Sequence, residues 1–432
     1  MPRWSLFLVL LSALGACAPS PTVTSTQRMM LQPAVDAERR GNYSKAFDIY
    51  QSAARNQVAV AQFRLAQMYE AGRGTEPDDE AAARWYAAAA EIGYPQAQRA
   101  LAQRYEQGKG VPADDAKALE LYRKAADAGD TSARFKLGEF YDRGRGTAPD
   151  PAAAARSYRI AADAGHTGAQ LALAQLYQEG RGVAADPAEA DRWYGLAAAQ
   201  IRRDALRGDA KAQEQLAGFY LVGLGVAADR DQAYTWLDAA ARQGRTSAQL
   251  RLARLFEQGA EGFPQNLPVA AEYYQMAVDQ GHRSAGYALA RIYAEGRGVP
   301  ADGARAVALF EQTAAQGEIR SYAKLGELYE RGEVVPADPG AALRWYTEAG
   351  AYGDAKALFK LGEAYERGTG VEPDPMRALM WYRLADQQGY ERAAARAERV
   401  AAQLDPAGIA EAERLAEAWQ SEHGFEAPFS EG

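Results

Sequence analysis

The sequence predicts an all-α protein built as an array of repeated helix pairs, and two periodicities lead to that prediction. First, a tyrosine with two glycines behind it recurs every 36 residues, at Tyr69, Tyr105, Tyr141 and Tyr177. The glycines follow each tyrosine three and five residues later. Second, small and apolar residues inside each interval are spaced by four, which places them on one face of a helix. This register predicts nine complete repeats over residues 60–389.

Each repeat is predicted to contain two helices. In the repeat of Tyr69, the second helix has a face formed by Ala82, Tyr86 and Ala90. Asp78 precedes this helix and is expected to cap it, because aspartate accepts hydrogen bonds from the free N–H groups of a first turn. Gly72 and Gly93 follow the two helices, where a left-handed residue ends a helix and glycine adopts that conformation at no steric cost.

Later repeats strengthen the assignment of the second helix. Four of the capping aspartates are followed by proline, which fits the first position of a helix: Asp150, Asp186, Asp338 and Asp374. Large aromatic residues at a fixed position are expected to fill the space between neighbouring repeats, and they are Trp85, Trp193, Trp236, Tyr273, Trp345 and Trp381. Burial of each ring should contribute roughly 1.5–3 kcal/mol or more.

The repeat interval changes in two places, and one repeat lacks its second glycine. The tyrosine position continues at Tyr220, Phe256, Tyr293, Tyr329 and Tyr365. The interval from Tyr177 to Tyr220 is 43 residues, so seven are inserted near residues 200–206. Seven residues are about two helical turns, and a helix can lengthen there with its apolar face in phase. The sixth repeat has one extra residue around 260–262, and the eighth carries Val334 in place of its second glycine.

These repeats resemble the Sel1-like repeat, a relative of the tetratricopeptide repeat. The resemblance is carried by the pattern A-x3-L-[GA]-x2-Y-x2-G-x-G-V-x3-D-x3-A-x2-WY-x2-A-A-x2-G, which residues 60–389 fit nine times. It implies a right-handed α-solenoid superhelix of helix-turn-helix units that acts as an interaction scaffold, and it implies no chemistry.

The ends of the array are expected to be capped, since stacked repeats need polar outer faces for solubility. Residues 34–59 match the second half of a repeat and are predicted to form an N-terminal cap. Residues 390–420 are predicted to form C-terminal capping helices, the last with a shared face of Ile409, Ala412, Leu415, Ala416 and Trp419. Residues 421–432 are predicted to be disordered.

The N-terminus is predicted to be a lipoprotein signal peptide, residues 1–16. Arg3 precedes an apolar run that is too short for an ordinary transmembrane helix and ends in Leu14-Gly15-Ala16-Cys17. These four residues resemble a bacterial lipobox, which implies cleavage before Cys17 and lipid attachment to it. The other interpretation is an incidental cysteine in a removed peptide. Ala18 at the next position, rather than aspartate, favours the outer membrane in the sorting rule that the resemblance brings, and residues 17–33 are read as a flexible tether.

Composition favours a globular body without a nucleic-acid footprint, because 25% of residues are charged and the net charge is −8. No catalytic, cofactor or metal site is predicted. His166 and His282 occupy the same repeat position and are interpreted as turn residues, with His423 in the tail. The paired glycines recur between helices without a preceding strand, so they are interpreted as turns and not as phosphate cradles.

The resemblance also nominates a ligand surface. In related helix-pair repeats the concave face is lined by first-helix residues six and two before the tyrosine and one after it. The candidates chosen from the first two positions are Phe63, Arg99, Phe135, Glu139, Tyr287, Arg291, Phe359 and Glu363. The third position is acidic in most repeats, from Glu70 and Glu106 onward. The alternative is that the rings pack between repeats and the acids face water.

A second row of charge lies on the turns, at Arg73, Lys109, Arg145, Arg181 and Arg297. It is interpreted as an anion-binding row or as solvated turn charge. The functional expectation is a non-catalytic, periplasm-facing lipoprotein scaffold that binds envelope proteins. The alternative is a lipoprotein that supports an exopolysaccharide exporter of the alginate type, with an outer-membrane porin as partner. A cysteine-rich Sel1-like family linked to β-lactam binding fits poorly, because Cys17 is the only cysteine.

Overall fold

The computed structural model describes residues 25–424, which contain 22 α-helices and no strand. The signal peptide, Cys17 and residues 425–432 lie outside this range. The N-terminal helices are α1 (Ser25–Arg39) and α2 (Tyr43–Arg55). The first helices of the nine repeats are α3 (Ala59–Ala71), α5 (Pro95–Gln107), α7 (Thr131–Arg143), α9 (Thr167–Glu179), α11 (Ala210–Val222), α13 (Thr246–Gln258), α15 (Arg283–Glu295), α17 (Arg320–Arg331) and α19 (Ala355–Arg367). The second helices are α4 (Asp79–Glu91), α6 (Asp115–Asp127), α8 (Pro151–Asp163), α10 (Pro187–Leu206), α12 (Arg230–Arg242), α14 (Leu267–Val278), α16 (Gly303–Ala315), α18 (Pro339–Ala351) and α20 (Pro375–Gln387). Helices α21 (Ala393–Ala401) and α22 (Pro406–His423) follow.

The predicted caps and helix ends are confirmed. The Asp78 carboxylate accepts a hydrogen bond of 2.8 Å from the Ala81 N–H, and its own N–H donates to the Tyr69 carbonyl at 3.0 Å. The N–H of the capping residue donates to the carbonyl of the first-helix aromatic residue in all nine repeats. Gly72 ends α3 in the left-handed conformation, with φ of 62°. Each turn is therefore closed by both helices that it joins.

The second glycine of each turn has a further role, which is contact with the preceding repeat. A Cβ atom on Gly110 would lie 2.0 Å from the carbonyl oxygen of Asp79, in the first turn of α4. In the eighth repeat, where Val334 replaces this glycine, the contacted residue is Gly303, and a Cβ there would lie 2.0 Å from the Val334 carbonyl oxygen. The close approach between repeats is therefore retained, because the glycine now lies in the second helix of the preceding repeat instead of in the turn.

The seven-residue insertion lengthens one helix, as predicted. Helix α10 has 20 residues, whereas most of the other second helices have 13. Ile201 and Ala205 in the added turns are buried, so the inserted segment continues the apolar face of the helix.

The chain divides into two compact units. One contains the residues up to Arg203 together with Gly223–Ala227, and the other contains Asp204–Val222 together with the residues from Ala228 onward. Inside each unit, consecutive helices such as α5, α6 and α7 pack against one another. The leucine four residues before the first-helix aromatic is buried in all nine repeats: Leu65, Leu101, Leu137, Leu173, Leu216, Leu252, Leu289, Leu325 and Leu361. Each repeat therefore contributes a leucine to the core at the same position of its first helix.

The packing aromatics are not equally buried. Trp193, Tyr273 and Trp381 are buried, as the sequence predicts. Trp85, Trp236 and Trp345 are only half-buried. Burial of these three rings therefore stabilises the fold less than full burial would.

The structure corrects both predicted termini. Residues 25–33, assigned to the flexible tether, begin α1, because Leu31, Ala34 and Ala37 bury one face of that helix. This burial offsets the hydrogen bond lost at Pro33, which lies inside α1. At the other end, α22 packs against α20 and continues to His423, beyond the predicted helix end at residue 420. Ala412 and Ala416 of its predicted apolar face are buried.

None of the helices in residues 25–424 combines the length and apolar character that a bilayer crossing requires.

Candidate interaction surface

The candidate rings six residues before the tyrosine pack between structural neighbours. Phe63 lies between Tyr86 and Tyr94, with ring centroids 5.6 and 5.4 Å away. Phe135 lies 5.7 Å from Tyr158 and is stacked 4.6 Å from the ring of His166. Both phenylalanines are half-buried, so part of each ring remains accessible.

Phe359 is not available as a ligand contact, and its assignment to the binding surface is corrected. Its side chain is only 1% exposed and lies between the rings of Tyr382 and Tyr390, with centroids 5.2 and 4.6 Å away. The guanidinium of Arg392 covers the same ring at 5.6 Å. At this position the packing interpretation holds, since three neighbouring side chains enclose the ring.

The charged candidates pair with nearby side chains. Arg99 binds Asp130 of the next turn at 3.0 Å, and Glu139 binds Lys136 on its own helix at 2.7 Å. Glu363 lies 3.2 Å from Lys360 and 3.3 Å from Arg367, and all three line a small cavity of about 110 Å³ with Tyr346. The structure therefore engages these groups locally and does not bring the eight candidates into one site.

Two of the candidates do share a groove. Tyr287 and Arg291 line an opening of about 360 Å³ together with Arg254, Glu257 and Tyr274. Arg320 completes one wall, with its guanidinium 4.5 Å from the centre of the Tyr287 ring. We call this opening the arginine groove, after Arg254, Arg291 and Arg320. It is lined by residues of α13, α14, α15 and α17 within the second unit.

The acidic row one residue after the tyrosine has a structural role. In five repeats a carboxylate of this row accepts a hydrogen bond of 2.6–2.7 Å from the hydroxyl of the second-helix tyrosine. The pairs are Tyr86–Glu70, Tyr122–Glu106, Tyr274–Glu257, Tyr346–Glu330 and Tyr382–Glu366. Burial, together with the bond to Glu106, raises the pKa of Tyr122 far above its ordinary value of 10.0. The tyrosine therefore remains a neutral donor.

Two repeats have an apolar residue in place of the acid that follows the first-helix aromatic residue. Where the second-helix residue has no hydroxyl, the acid is missing too: Leu237 accompanies Leu221 and Phe310 accompanies Ala294. In these two repeats the hydroxyl and the carboxylate are lost together, so neither polar group is left without its partner in the interior. In the fourth repeat Gln178 replaces the acid, and its amide oxygen accepts the Tyr194 hydroxyl at 3.1 Å. The sequence contains this signal, and a comparison of the two positions across the repeats would have found it.

Most acids of the row also bind a cation contributed by the following helix pair. Arg145 lies 2.6 Å from Glu106, Arg181 lies 3.0 Å from Asp142, and Lys360 lies 2.9 Å from Glu330. Arg104, which is buried, binds Glu70 at 2.5 Å and Asp79 at 2.6 Å. Arg145 and Arg181 belong to the row of charged residues on the turns, and they form ion pairs between repeats. The sequence had suggested either anion binding or solvated charge for this row, and neither interpretation included such pairs.

A second link between repeats was missed by the sequence analysis. A buried glutamine seven residues before the tyrosine donates its side-chain N–H to a carbonyl eight residues earlier, at the end of the preceding helix. The glutamines are Gln62, Gln98, Gln170, Gln213 and Gln249. The recurrence of glutamine at this position in five of the nine repeats was the available signal.

The histidines at the turns are helix caps. The Nδ1 atom of His166 accepts a hydrogen bond of 3.1 Å from the Ala169 N–H, and that of His282 accepts one of 3.4 Å from Ala285. Burial lowers the pKa of His166, which favours the neutral ring that such a cap requires. Within residues 25–424 no cluster of three or more histidine, cysteine or carboxylate side chains is arranged to hold a metal ion.

These features define the class of protein. It is an all-α solenoid of helix-pair repeats, whose helices are linked by hydrogen bonds and ion pairs among tyrosine, carboxylate and arginine side chains. The family model described as the Sel1 repeat matches ten consecutive segments of the chain. They are residues 34–58, 59–94, 95–130, 131–166, 167–200, 210–244, 246–282, 284–318, 319–354 and 355–395. The chain belongs to the Sel1 repeat family.

Solved structures of this family are similar to the chain. One is a protective antigen of uropathogenic Escherichia coli that displays the SLR fold, with 29% identity over 94% of this chain and 90% of that one, and a TM-score of 0.49. Another is a Sel1 repeat protein from Oxalobacter formigenes, with 29% identity over 57% of this chain and 96% of that one, and a TM-score of 0.48. No curated protein sequence matches the chain. Sel1 repeat proteins are generally non-catalytic scaffolds for protein–protein interactions.

Proposed function

We propose that the chain is a non-catalytic scaffold lipoprotein that faces the periplasm from the outer membrane and binds envelope proteins through its first helices. The observation that carries the proposal is the array itself. The repeats neutralise much of their acidic row internally, yet leave the arginine groove open on the first helices of the second unit. The open groove supports an interaction role for these first helices, beside structural contacts such as Tyr274–Glu257.

Affinity purification of the full chain from detergent-solubilised envelope tests the scaffold role. We expect a small set of envelope proteins to copurify reproducibly with the tagged protein. The matched control is an equally tagged lipoprotein of the same host that lacks these repeats. If the two proteins capture the same set, the scaffold proposal is wrong.

The proposed anchor is the thioether and amide-linked lipid that a lipobox places on its cysteine, here Cys17. One acyl chain binds a membrane only marginally, so the several chains of a bacterial lipoprotein are needed for stable attachment. Cys17→Ser should leave the precursor uncleaved or release the protein from the outer membrane. Ala18→Asp is the matched variant, and under the sorting rule it should be lipidated but retained at the inner membrane. Normal fractionation of Cys17→Ser with the outer membrane would contradict the anchor.

A narrower version of the proposal is support of an exopolysaccharide exporter of the alginate type. Its basis is the proposed architecture, a lipid-anchored array of repeats beside an outer-membrane porin. Deletion of the gene should then abolish polymer secretion while intracellular polymer synthesis continues, and the porin should be among the copurified proteins. Secretion at the normal level would exclude this version and leave the scaffold proposal standing.

A further inference from the structure

The arginine groove departs from the repeat pattern at one position in two adjacent repeats. Two residues before the first-helix aromatic, the sixth and seventh repeats carry Arg254 and Arg291. The other seven repeats carry glutamine, glutamate or glycine there: Gln67, Gln103, Glu139, Gln175, Gly218, Glu327 and Glu363. Because all repeats have the same packing requirements, a position that accepts such different side chains is not constrained by the fold. Two neighbouring arginines at it therefore point to a role outside folding.

The guanidinium groups of the groove have free donors. Arg254 is exposed and has no ion pair or hydrogen-bond partner among the described residues. Arg291 has one distant partner, Glu295, at 3.6 Å. Arg320 is held in place by Glu318, which contacts its Nε atom at 2.7 Å, and by the face of the Tyr287 ring. A guanidinium has five N–H donors, so one ion pair leaves most of them available.

Among the residues that line the groove, three arginines outnumber one acidic side chain. Of the described residues that line it, Glu257 is the one carboxylate, and its Oε2 atom accepts the Tyr274 hydroxyl at 2.6 Å. The seventh repeat lacks the carboxylate that most other repeats have beside this position, because Ala294 and Phe310 replace the acid and the tyrosine. The groove is thus cationic within a chain whose net charge is −8.

We propose that the arginine groove binds an acidic, extended segment of the partner protein, with carboxylates paired to Arg254 and Arg291 and an adjoining residue against Tyr287 and Arg320. Guanidinium and carboxylate groups match in a bidentate geometry, which gives both strength and orientation. Equivalent positions of adjacent repeats are separated by about a helix-pair spacing, so an extended chain can reach both arginines with side chains that are several residues apart. This inference rests on the proposed scaffold function and names the chemistry of its partner.

The test measures binding of a fluorescein-labelled synthetic peptide of alternating glutamate and serine to the full chain by fluorescence anisotropy. We expect the glutamate peptide to bind and the same peptide with lysine in place of glutamate not to bind. Arg254→Gln combined with Arg291→Gln should raise the Kd about tenfold or more, because it removes two charge-assisted contacts. Increasing salt should weaken binding to the native chain more than to this variant.

The matched control is Arg123→Gln combined with Arg156→Gln. Both arginines are exposed, have no ion pair among the described residues, and lie in the other compact unit, so the control changes net charge equally. Its Kd should equal that of the native chain, and thermal unfolding of both double variants should be unchanged. An equal loss of affinity in the control, or no binding of the glutamate peptide, would overturn the proposal.

Two further measurements separate the possible failures. A labelled oligomer of uronic acids supplies carboxylates from a polysaccharide, and its binding through Arg254 and Arg291 without peptide binding would overturn the choice of a protein ligand. The envelope purification, repeated with Arg254→Gln/Arg291→Gln, addresses the scaffold role. If this variant captures the same proteins as the native chain, this inference is wrong and the scaffold proposal stands.

Discussion

The second and seventh repeats share one sequence register but fill the space between their two helices in different ways. In the second repeat, Tyr122 donates to Glu106 at 2.7 Å, and Arg145 from the next turn binds the same carboxylate at 2.6 Å. In the seventh, Phe310 and Ala294 occupy the corresponding positions. Tyr122 and Phe310 are both buried, so the ring is common to the two repeats and the polar network is not.

The difference shows which part of the repeat is structural. A ring at this position fills the core of both repeats, while the hydroxyl, the carboxylate and the arginine form a polar unit that the second repeat has and the seventh lacks. In five repeats the acid of this row is occupied by the tyrosine that faces it. Loss of the unit in the seventh repeat removes a negative charge near Arg291 and leaves its groove cationic.

The largest effect is expected from Glu106→Ala, which breaks the unit in the second repeat. It leaves the buried Tyr122 hydroxyl without an acceptor and removes one of the two carboxylates that bind Arg145. We expect a loss of about 2–3 kcal/mol in the local free energy of unfolding. Native-state hydrogen exchange of α5 and α6 measures it, because each repeat contacts mainly its neighbours and opens locally.

The control for this prediction is Glu91→Ala, an exposed residue near the end of α4. Its effect should stay within about 0.5 kcal/mol, as for an ordinary surface substitution. Equal losses from the two substitutions would show that Glu106 has no special role.

The next effect is expected when the unit is transplanted into the seventh repeat. Phe310→Tyr alone adds a buried hydroxyl that Ala294 cannot satisfy, and Ala294→Glu alone adds an acid without its donor. Combined, they should stabilise each other by about 1–2 kcal/mol, which a double-mutant cycle on thermal unfolding measures. The double variant should also weaken binding of the glutamate peptide, because it adds a carboxylate near Arg291. Additive effects of the two substitutions would refute the coupling.

A smaller effect is expected from Tyr122→Phe, which makes the second repeat resemble the seventh at one of its two positions. The ring is kept and Glu106 retains Arg145, so the cost should be about 1 kcal/mol, less than that of Glu106→Ala. Tyr158→Phe is the matched variant, because Tyr158 is also buried but has no such hydrogen bond to Asp142 among the described contacts. Hydrogen exchange of α6 and α8 should show the larger loss in α6, and the opposite order would contradict this explanation.

The features that could be predicted from the sequence are the helix caps and helix ends, which depend on neighbouring residues and recur in each repeat. Asp78 beside a helix start and Gly72 behind a helix end each determine a backbone conformation through their own chemistry, so the helix bounds follow from them. The lengthening of α10 was predictable because seven residues preserve helical phase.

Other features depend on contacts between repeats, which a single register does not display. Phe359 is enclosed by Tyr382 and Tyr390 from later elements, so its burial depends on rings at two other positions. The segment before Pro33 was read from composition as a tether, whereas the burial of Leu31 against neighbouring helices decides in favour of a helix. Arg320 was missed because its role depends on a groove to which four helices contribute.

The smallest effect concerns pH and the same unit in the ninth repeat. Burial acts to raise the pKa of Glu366, but the Tyr382 hydroxyl and the guanidinium groups of Arg399 and Arg396 outweigh it, so the pKa is lowered below the ordinary 4.5. A carboxyl whose pKa is lowered by folding stabilises the fold at pH above its unfolded value, and that contribution is lost as pH falls through the folded value. Hydrogen-exchange protection of α20 should therefore decline as the solution is acidified below about pH 4.5.

Glu366→Gln should flatten this decline, because the amide oxygen still accepts the Tyr382 hydroxyl but no longer titrates. The matched variant is Glu411→Gln, whose carboxyl also has a lowered pKa through Arg414 but lies on the surface of α22, where solvent screens the pair. It should leave the acid dependence of α20 as it is in the native chain. In the seventh repeat, where Ala294 stands in the place of the acid, protection of α16 should depend less on pH over the same range. If α16 and α20 lose protection in parallel, or if Glu366→Gln retains the native decline, then the tyrosine–carboxylate–arginine unit is not the origin of the acid sensitivity.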